Sequence, residues 1–173
     1  MDTVFYISAV VAVLATLMVI TRANAVHALL YLIVSLLAVA VIFFVLGAPF
    51  VAAMEVIIYA GAIMVLFVFV VMMLNLGPQT VEQEQAWIQP AAWVGPAVLS
   101  AVLLGELVYV FSAGGGLAVG GREIGPPAVG AALFGPYVIG VELASMLLLA
   151  GLVGAYHLGR RDRRHASPER GVR

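Results

Sequence analysis

Long apolar runs, separated by short polar or glycine- and proline-containing segments, dominate the hydropathy pattern of this chain. Each run reaches about 18 residues or more with almost no charge, which is enough for an α-helix to cross a hydrocarbon layer of ~30 Å. Five such runs lie at about residues 3–21, 26–46, 50–74, 91–111 and 137–158. The pattern therefore predicts an all-α integral membrane protein with five transmembrane helices, organised as a single membrane domain over residues 1–158.

Polar and turn-forming residues mark the ends of the predicted helices. Asn24 is typical of an N-cap at the start of the second helix. Gly47 and Pro49 predict a tight turn, because Pro49 cannot continue the second helix but suits the first turn of the third. Residues 113–136 are rich in glycine and contain Pro126-Pro127, so we expect an irregular outer loop or short hairpin there.

Composition and charge narrow the class further. The chain is 64% hydrophobic and 10% charged, and it contains no cysteine, which excludes iron–sulfur ligation and c-type haem attachment. Residues 159–173 hold six arginines against Asp162 and Glu169. Positive residues stay on the cytoplasmic side, so this basic tail is expected to be cytoplasmic and, with five helices, the N-terminus is expected outside. His27 and His157 are more typical of interfacial positions than of haem ligands.

The third run, MEVIIYAGAIMVLFVFVVMMLNL, carries three unusual residues for a membrane helix. Glu55 is a carboxylate, Tyr59 lies four residues later and could share a hydrogen bond with it, and Gly61 weakens the helix near its midpoint. Two interpretations of Gly61 remain open. One is close packing against another helix, and the other is an i→i+5 π-bulge, a feature that clusters at functional sites.

Two further glutamates lie inside predicted helices. The predicted topology places Glu55, Glu106 and Glu142 in the outer third of the membrane. A charged side chain there costs about 2.5 kcal/mol or more unless it is paired, protonated or hydrated. For Glu106, snorkelling to the nearby interface explains the residue as well as function does, whereas Glu55 and Tyr59 are the stronger candidates for a proton path. Glu142 is intermediate between these two cases.

The segments NAVHALLYLIVSLLAVAVIFFVLGAPF, MEVIIYAGAIMVLFVFVVMMLNLG and LFGPYVIGVELASMLLLAGLVGAYHLGR resemble subunit J of bacterial NADH:quinone oxidoreductase, respiratory complex I. The resemblance implies a five-helix subunit of the bacterial inner membrane that packs beside subunits H, A, K and N and the lipid bilayer, with no nucleic-acid partner. It also implies that FMN, iron–sulfur clusters, NADH and quinone are bound by other subunits, and that this chain carries no cofactor, metal or catalytic residue.

In that family the third helix carries a π-bulge that converts toward regular α-helix and couples quinone reduction to proton translocation. Carried onto this sequence, the bulge is expected between Tyr59 and Phe67, with Gly61 and Val65 inside it. Glu55 matches the acidic position at the start of that helix. The alternatives are a corresponding subunit of a multisubunit cation/proton antiporter or of a membrane-bound hydrogenase, and a passive assembly scaffold.

Overall fold

The computed structural model describes residues 2–22, 24–74, 90–112 and 123–160, and every regular element within these ranges is a helix. The helices are α1 (Asp2–Thr21), α2 (Ala25–Val45), α3 (Pro49–Met54), π1 (Glu55–Ile63), α4 (Met64–Leu74), α5 (Pro90–Ser112), α6 (Pro126–Leu133) and α7 (Val138–Gly159). The elements α3, π1 and α4 follow one another without a break and are called the third helix below. Within the described residues, five helices are long and apolar enough to span a membrane, as predicted.

The chain divides into two compact units, Met1–Pro126 and Pro127–Arg173. The first unit contains α1, α2, the third helix and α5, and the second contains most of α6 and all of α7, in which no residue is buried. The polar segment 75–89, the glycine-rich stretch 113–122 and tail residues 161–173 lie outside the described residues.

The helix α6 lies within the segment 113–136 that was expected to be irregular. It begins at Pro126, with Pro127 as its second residue. A proline in the first turn costs little, because the backbone N–H that it lacks has no acceptor inside the helix at that position. The proline pair, interpreted from the sequence as part of a loop, instead begins a helix.

The helix α2 is the centre of the first unit and packs against α1, the third helix and α5. Two apolar clusters hold these helices together. The middle cluster contains Val11, Ala15, Val34, Ala38 and Leu103. The end cluster contains Val4, Val45 and Val110. Burial of apolar surface in these clusters sets the rotation of α1 and α5 against α2.

The two ends of α2 form as the sequence predicts. The side-chain oxygen of Asn24 accepts hydrogen bonds from the backbone N–H groups of Val26 (2.9 Å) and His27 (3.3 Å), which is the geometry of an N-cap. At the other end Gly47 has φ 86°, a left-handed conformation that suits glycine. The N–H of Ala48 donates to the carbonyl of Phe43 at 3.0 Å, which closes the Schellman turn leading into Pro49.

Candidate functional site

The third helix contains a π-helical segment of nine residues, Glu55–Ile63. Directly after it, the N–H of Met64 still donates to the carbonyl of Tyr59, five residues earlier. Glu55 begins this segment, and Tyr59 and Gly61 lie inside it. Two of the residues singled out for a helix switch are therefore part of one stretch of i→i+5 backbone geometry.

The segment begins and ends about one turn earlier than the family resemblance implied. Val65 and Phe67, expected inside or at the end of the bulge, lie instead in the regular helix α4. Both side chains are exposed, at 67% and 52%.

Gly61 is the residue that best tolerates this wide turn. A Cβ at position 61 would stand 3.1 Å from the carbonyl oxygen of Val56, closer than an ordinary van der Waals contact. Glycines in the α-helices provide a comparison. Outside the flanking four residues of its own helix, a Cβ added at Gly105, Gly130, Gly140, Gly151 or Gly154 meets no atom within 4 Å. The crowded oxygen belongs to the residue five positions before Gly61, which is the spacing of the hydrogen bonds in a π-helix.

The π-helical segment lies between two buried side chains of the third helix. Ala52 is 6% exposed before it and Met64 is 2% exposed after it, whereas no residue of Glu55–Ile63 is buried. Met64 is also the largest of the fully buried side chains in the described residues. The third helix thus has a buried side chain on each side of the segment, while every side chain of the segment itself is partly or fully exposed.

An apolar cleft of about 380 Å³ borders the start of the π-helical segment. It lies between α2, the third helix and α5, and its lining includes Leu37, Phe44, Val56 and Leu104. Space beside a helix allows side chains to repack when that helix changes its rotation, because closely packed interiors resist such movement.

Glu55 and Tyr59 are positioned differently from the expectation. The Glu55 side chain is partly exposed and the Tyr59 side chain is 50% exposed. No hydrogen bond joins the two side chains among the described residues. Both groups therefore reach the surface of this chain, where groups from outside it can contact them.

Glu106, which the sequence explains equally well by snorkelling to the interface and by function, is buried in the structure. It is 8% exposed, and its Oε2 accepts a hydrogen bond of 2.7 Å from the hydroxyl of Ser8, which is fully buried. Sequence reasoning missed Ser8. A signal was present, because Ser8 shares helical spacing with Val4, Val11 and Ala15 and so lies on the buried face of α1.

The third intramembrane acid, Glu142, belongs to the second unit and is exposed there. The hydroxyl of Ser145 donates to the backbone carbonyl of Glu142 at 2.7 Å and not to its carboxylate. Among the residues that the structure describes, no group of three or more histidine, cysteine, aspartate or glutamate side chains is arranged to hold a metal ion.

Comparison with known proteins identifies the family. Residues 15–158 match the family described as NADH-ubiquinone/plastoquinone oxidoreductase chain 6. The chain is 63% identical to NADH-quinone oxidoreductase subunit J of Pseudomonas aeruginosa over 94% of this chain and 98% of that protein. It is 60% identical to the subunit J of Escherichia coli strain K12, over 94% and 89% of the two chains.

The chain belongs to the subunit J family of NADH-quinone oxidoreductase. The similarity extends to more distant relatives, since subunit J of Buchnera aphidicola subsp. Schizaphis graminum is 48% identical over 92% of this chain and 98% of its own length. Together with its five apolar helices, the family makes the chain a multi-pass inner-membrane subunit of a multisubunit redox enzyme, which is a translocase.

Proposed function

We propose that this subunit couples quinone reduction to proton translocation through its third helix, which interconverts between π-helical and α-helical forms and gates a proton path past Glu55 and Tyr59. The observation that carries the proposal is the π-helical segment Glu55–Ile63, with glycine at the crowded position 61. Wide turns of this kind are rare and are frequently found at functional sites.

The geometry of the helix supplies a mechanism for the gate. A change from i→i+5 to i→i+4 bonding shifts the register of the following helix by one residue, which rotates it by about 100°. Met64 would then leave its buried position, and Ile63, of similar size and 37% exposed, would take its place. Exchange of two apolar side chains of similar volume at one buried position gives two arrangements of comparable packing.

The same rotation would change the surroundings of the polar groups. Tyr59 lies within the segment, and Glu55 lies at its first residue, where the backbone geometry changes. Both side chains are exposed at the surface of this chain, so we assign the rest of the proton path to neighbouring subunits. Subunits H, A, K and N are the neighbours expected to pack against this chain. Rotation of the third helix would make or break the hydrogen-bonded connection between Tyr59 and hydrated groups of those neighbouring subunits.

In this proposal the N-terminus lies in the periplasm and the basic C-terminal tail in the cytoplasm, as the positions of the arginines predict. FMN, the iron–sulfur clusters, NADH and quinone are assigned to other subunits. The identity of 63% and 60% to subunits of NADH-quinone oxidoreductase favours this assignment over a cation/proton antiporter or hydrogenase subunit.

The proposal is tested with Gly61→Leu in the assembled complex. A larger side chain at position 61 cannot be accommodated beside the carbonyl of Val56 without movement of the backbone. We expect an intact complex in which NADH-driven quinone reduction and proton uptake are slowed together. A passive scaffold would instead lose subunits from the complex or show no effect. Normal coupled turnover in an intact Gly61→Leu complex would overturn the proposal.

A further inference from the structure

Glu106 and Ser8 form a polar pair between two apolar clusters of the first unit. On α5 the buried stripe runs from Leu103 through Glu106 to Val110, at spacings of three and four residues. Leu103 belongs to the middle cluster and Val110 to the end cluster. The carboxyl group therefore lies between two apolar layers, away from the ends of the bundle.

The two carboxyl oxygens of Glu106 differ in their surroundings. Oε2 accepts the hydrogen bond from Ser8. Oε1 is buried and has no hydrogen-bond partner among the described residues. A carboxyl group bonded in this way has one oxygen serving as a carbonyl-type acceptor and the other free to carry a proton.

Charged and titratable groups on the neighbouring helices do not hydrogen-bond to Glu106 among the described residues. Asp2 and Tyr6 of α1 are exposed. On α2, Tyr31 faces Gly95 of α5, which lies about 16 Å along the helix axis from Glu106, and His27 lies a further turn away. Arg22, which follows α1, makes no hydrogen bond to Glu106. The other titratable groups on the helices of this unit also make none; they are Glu55, Tyr59 and Tyr109. No cationic side chain described in this unit pairs with Glu106, so a proton is the ligand that removes its charge.

We propose that Ser8 and Glu106 form a proton-binding site inside the bundle, in which Oε1 takes up and releases the proton and Ser8 positions the carboxyl group through Oε2. Transfer of a proton from a hydronium ion to Oε1 converts the carboxylate to the carboxylic acid and leaves water, and release of the proton to water restores the carboxylate and the hydronium ion. The site does not depend on the switch in the third helix, so a failure of the proposed function would not refute this site, and the reverse also holds.

Infrared difference spectra of the purified, assembled complex test the site. Glu106→Gln keeps an acceptor for Ser8 but cannot hold a proton. In the difference between spectra recorded at low and at high pH, we expect the wild-type complex to show a stretching band of a protonated carboxylic acid that is missing from Glu106→Gln. The band should shift on transfer to D2O, because the proton exchanges.

Ser8→Ala provides a second measurement that does not rely on Glu106→Gln being assembled. It removes the donor to Oε2, so the carboxylic-acid band should move to higher frequency. Ser112→Ala is the matched control, since the hydroxyl of Ser112 on α5 donates only to the carbonyl of Tyr109 on its own helix; its band should equal that of the wild type.

Three results would overturn the site. The first is identical wild-type and Glu106→Gln spectra in the carboxylic-acid region. The second is a band that does not respond to D2O, and the third is a band that Ser8→Ala leaves in place. If Glu106→Gln does not assemble, the comparison of Ser8→Ala with Ser112→Ala decides the question.

Discussion

Replacement of Gly61 by alanine is the smallest change that separates the π-helical from the α-helical form. The added Cβ would lie 3.1 Å from the carbonyl oxygen of Val56, so one of the two groups must move by a few tenths of an ångström. Overpacking of this kind costs about 1 kcal/mol at the lower end of its usual range. This contact with the carbonyl five residues earlier forms only in the wide turn, so its cost falls on the π-helical form.

Alanine also has a general effect on helices that must be separated from this one. Relative to glycine it stabilises a helix interior by about 0.5–1 kcal/mol, whichever of the two helical forms is present. This contribution cancels in the ratio of the forms. The remaining difference of about 1 kcal/mol changes that ratio about fivefold in favour of the α-helical form.

The assay is NADH-driven quinone reduction and proton uptake by the complex in proteoliposomes, with the conformation of the third helix determined in the same preparation. Gly61→Ala should lower both rates in parallel by up to about fivefold, because return to the π-helical form becomes less favourable. Gly105→Ala is the matched control, because a Cβ at Gly105 meets no atom within 4 Å outside the flanking four residues of its own helix. Equal rates and equal helix conformations in the two variants would refute this reasoning.

Three other predictions follow from individual contacts. Glu55→Gln and Tyr59→Phe should leave the complex assembled and lower proton uptake; variants with normal uptake would place the path elsewhere. Asn24→Ala removes the side-chain acceptor for two backbone N–H groups and should cost about 1 kcal/mol of stability. The measurement is the temperature at which the subunit is released from the complex, which should be lower in the variant. Gly95→Ala would place a Cβ against the hydroxyl of Tyr31 and should cost about 1–3 kcal/mol in the same assay. Adding Tyr31→Phe removes the hydroxyl and keeps the ring, so it should restore part of the lost stability; no recovery would show that the hydroxyl is not the cause.

Much of the architecture could be predicted from the sequence because membrane helices obey local rules. Apolar length identified five helices, Asn24 identified the start of α2, and Gly47 with Pro49 identified the turn that follows it. Each of these features depends on residues close together in the chain. The glycine at position 61 likewise pointed to an unusual helix, because few residues suit a mid-helix position that must accept a widened turn.

Only the tertiary structure decided which polar residues are buried and where the π-helical segment lies. Glu55 and Glu106 are both single carboxylates in apolar runs, and hydropathy does not distinguish them. Packing of α5 against α1 and α2 buries Glu106 beside Ser8, which is 98 positions away in the chain, while Glu55 stays partly exposed. The position of the segment between Ala52 and Met64 depends in the same way on which side chains of the third helix the bundle can bury. A pairing between distant residues is set by the rotation of whole helices, and that rotation follows from contacts that no local pattern contains.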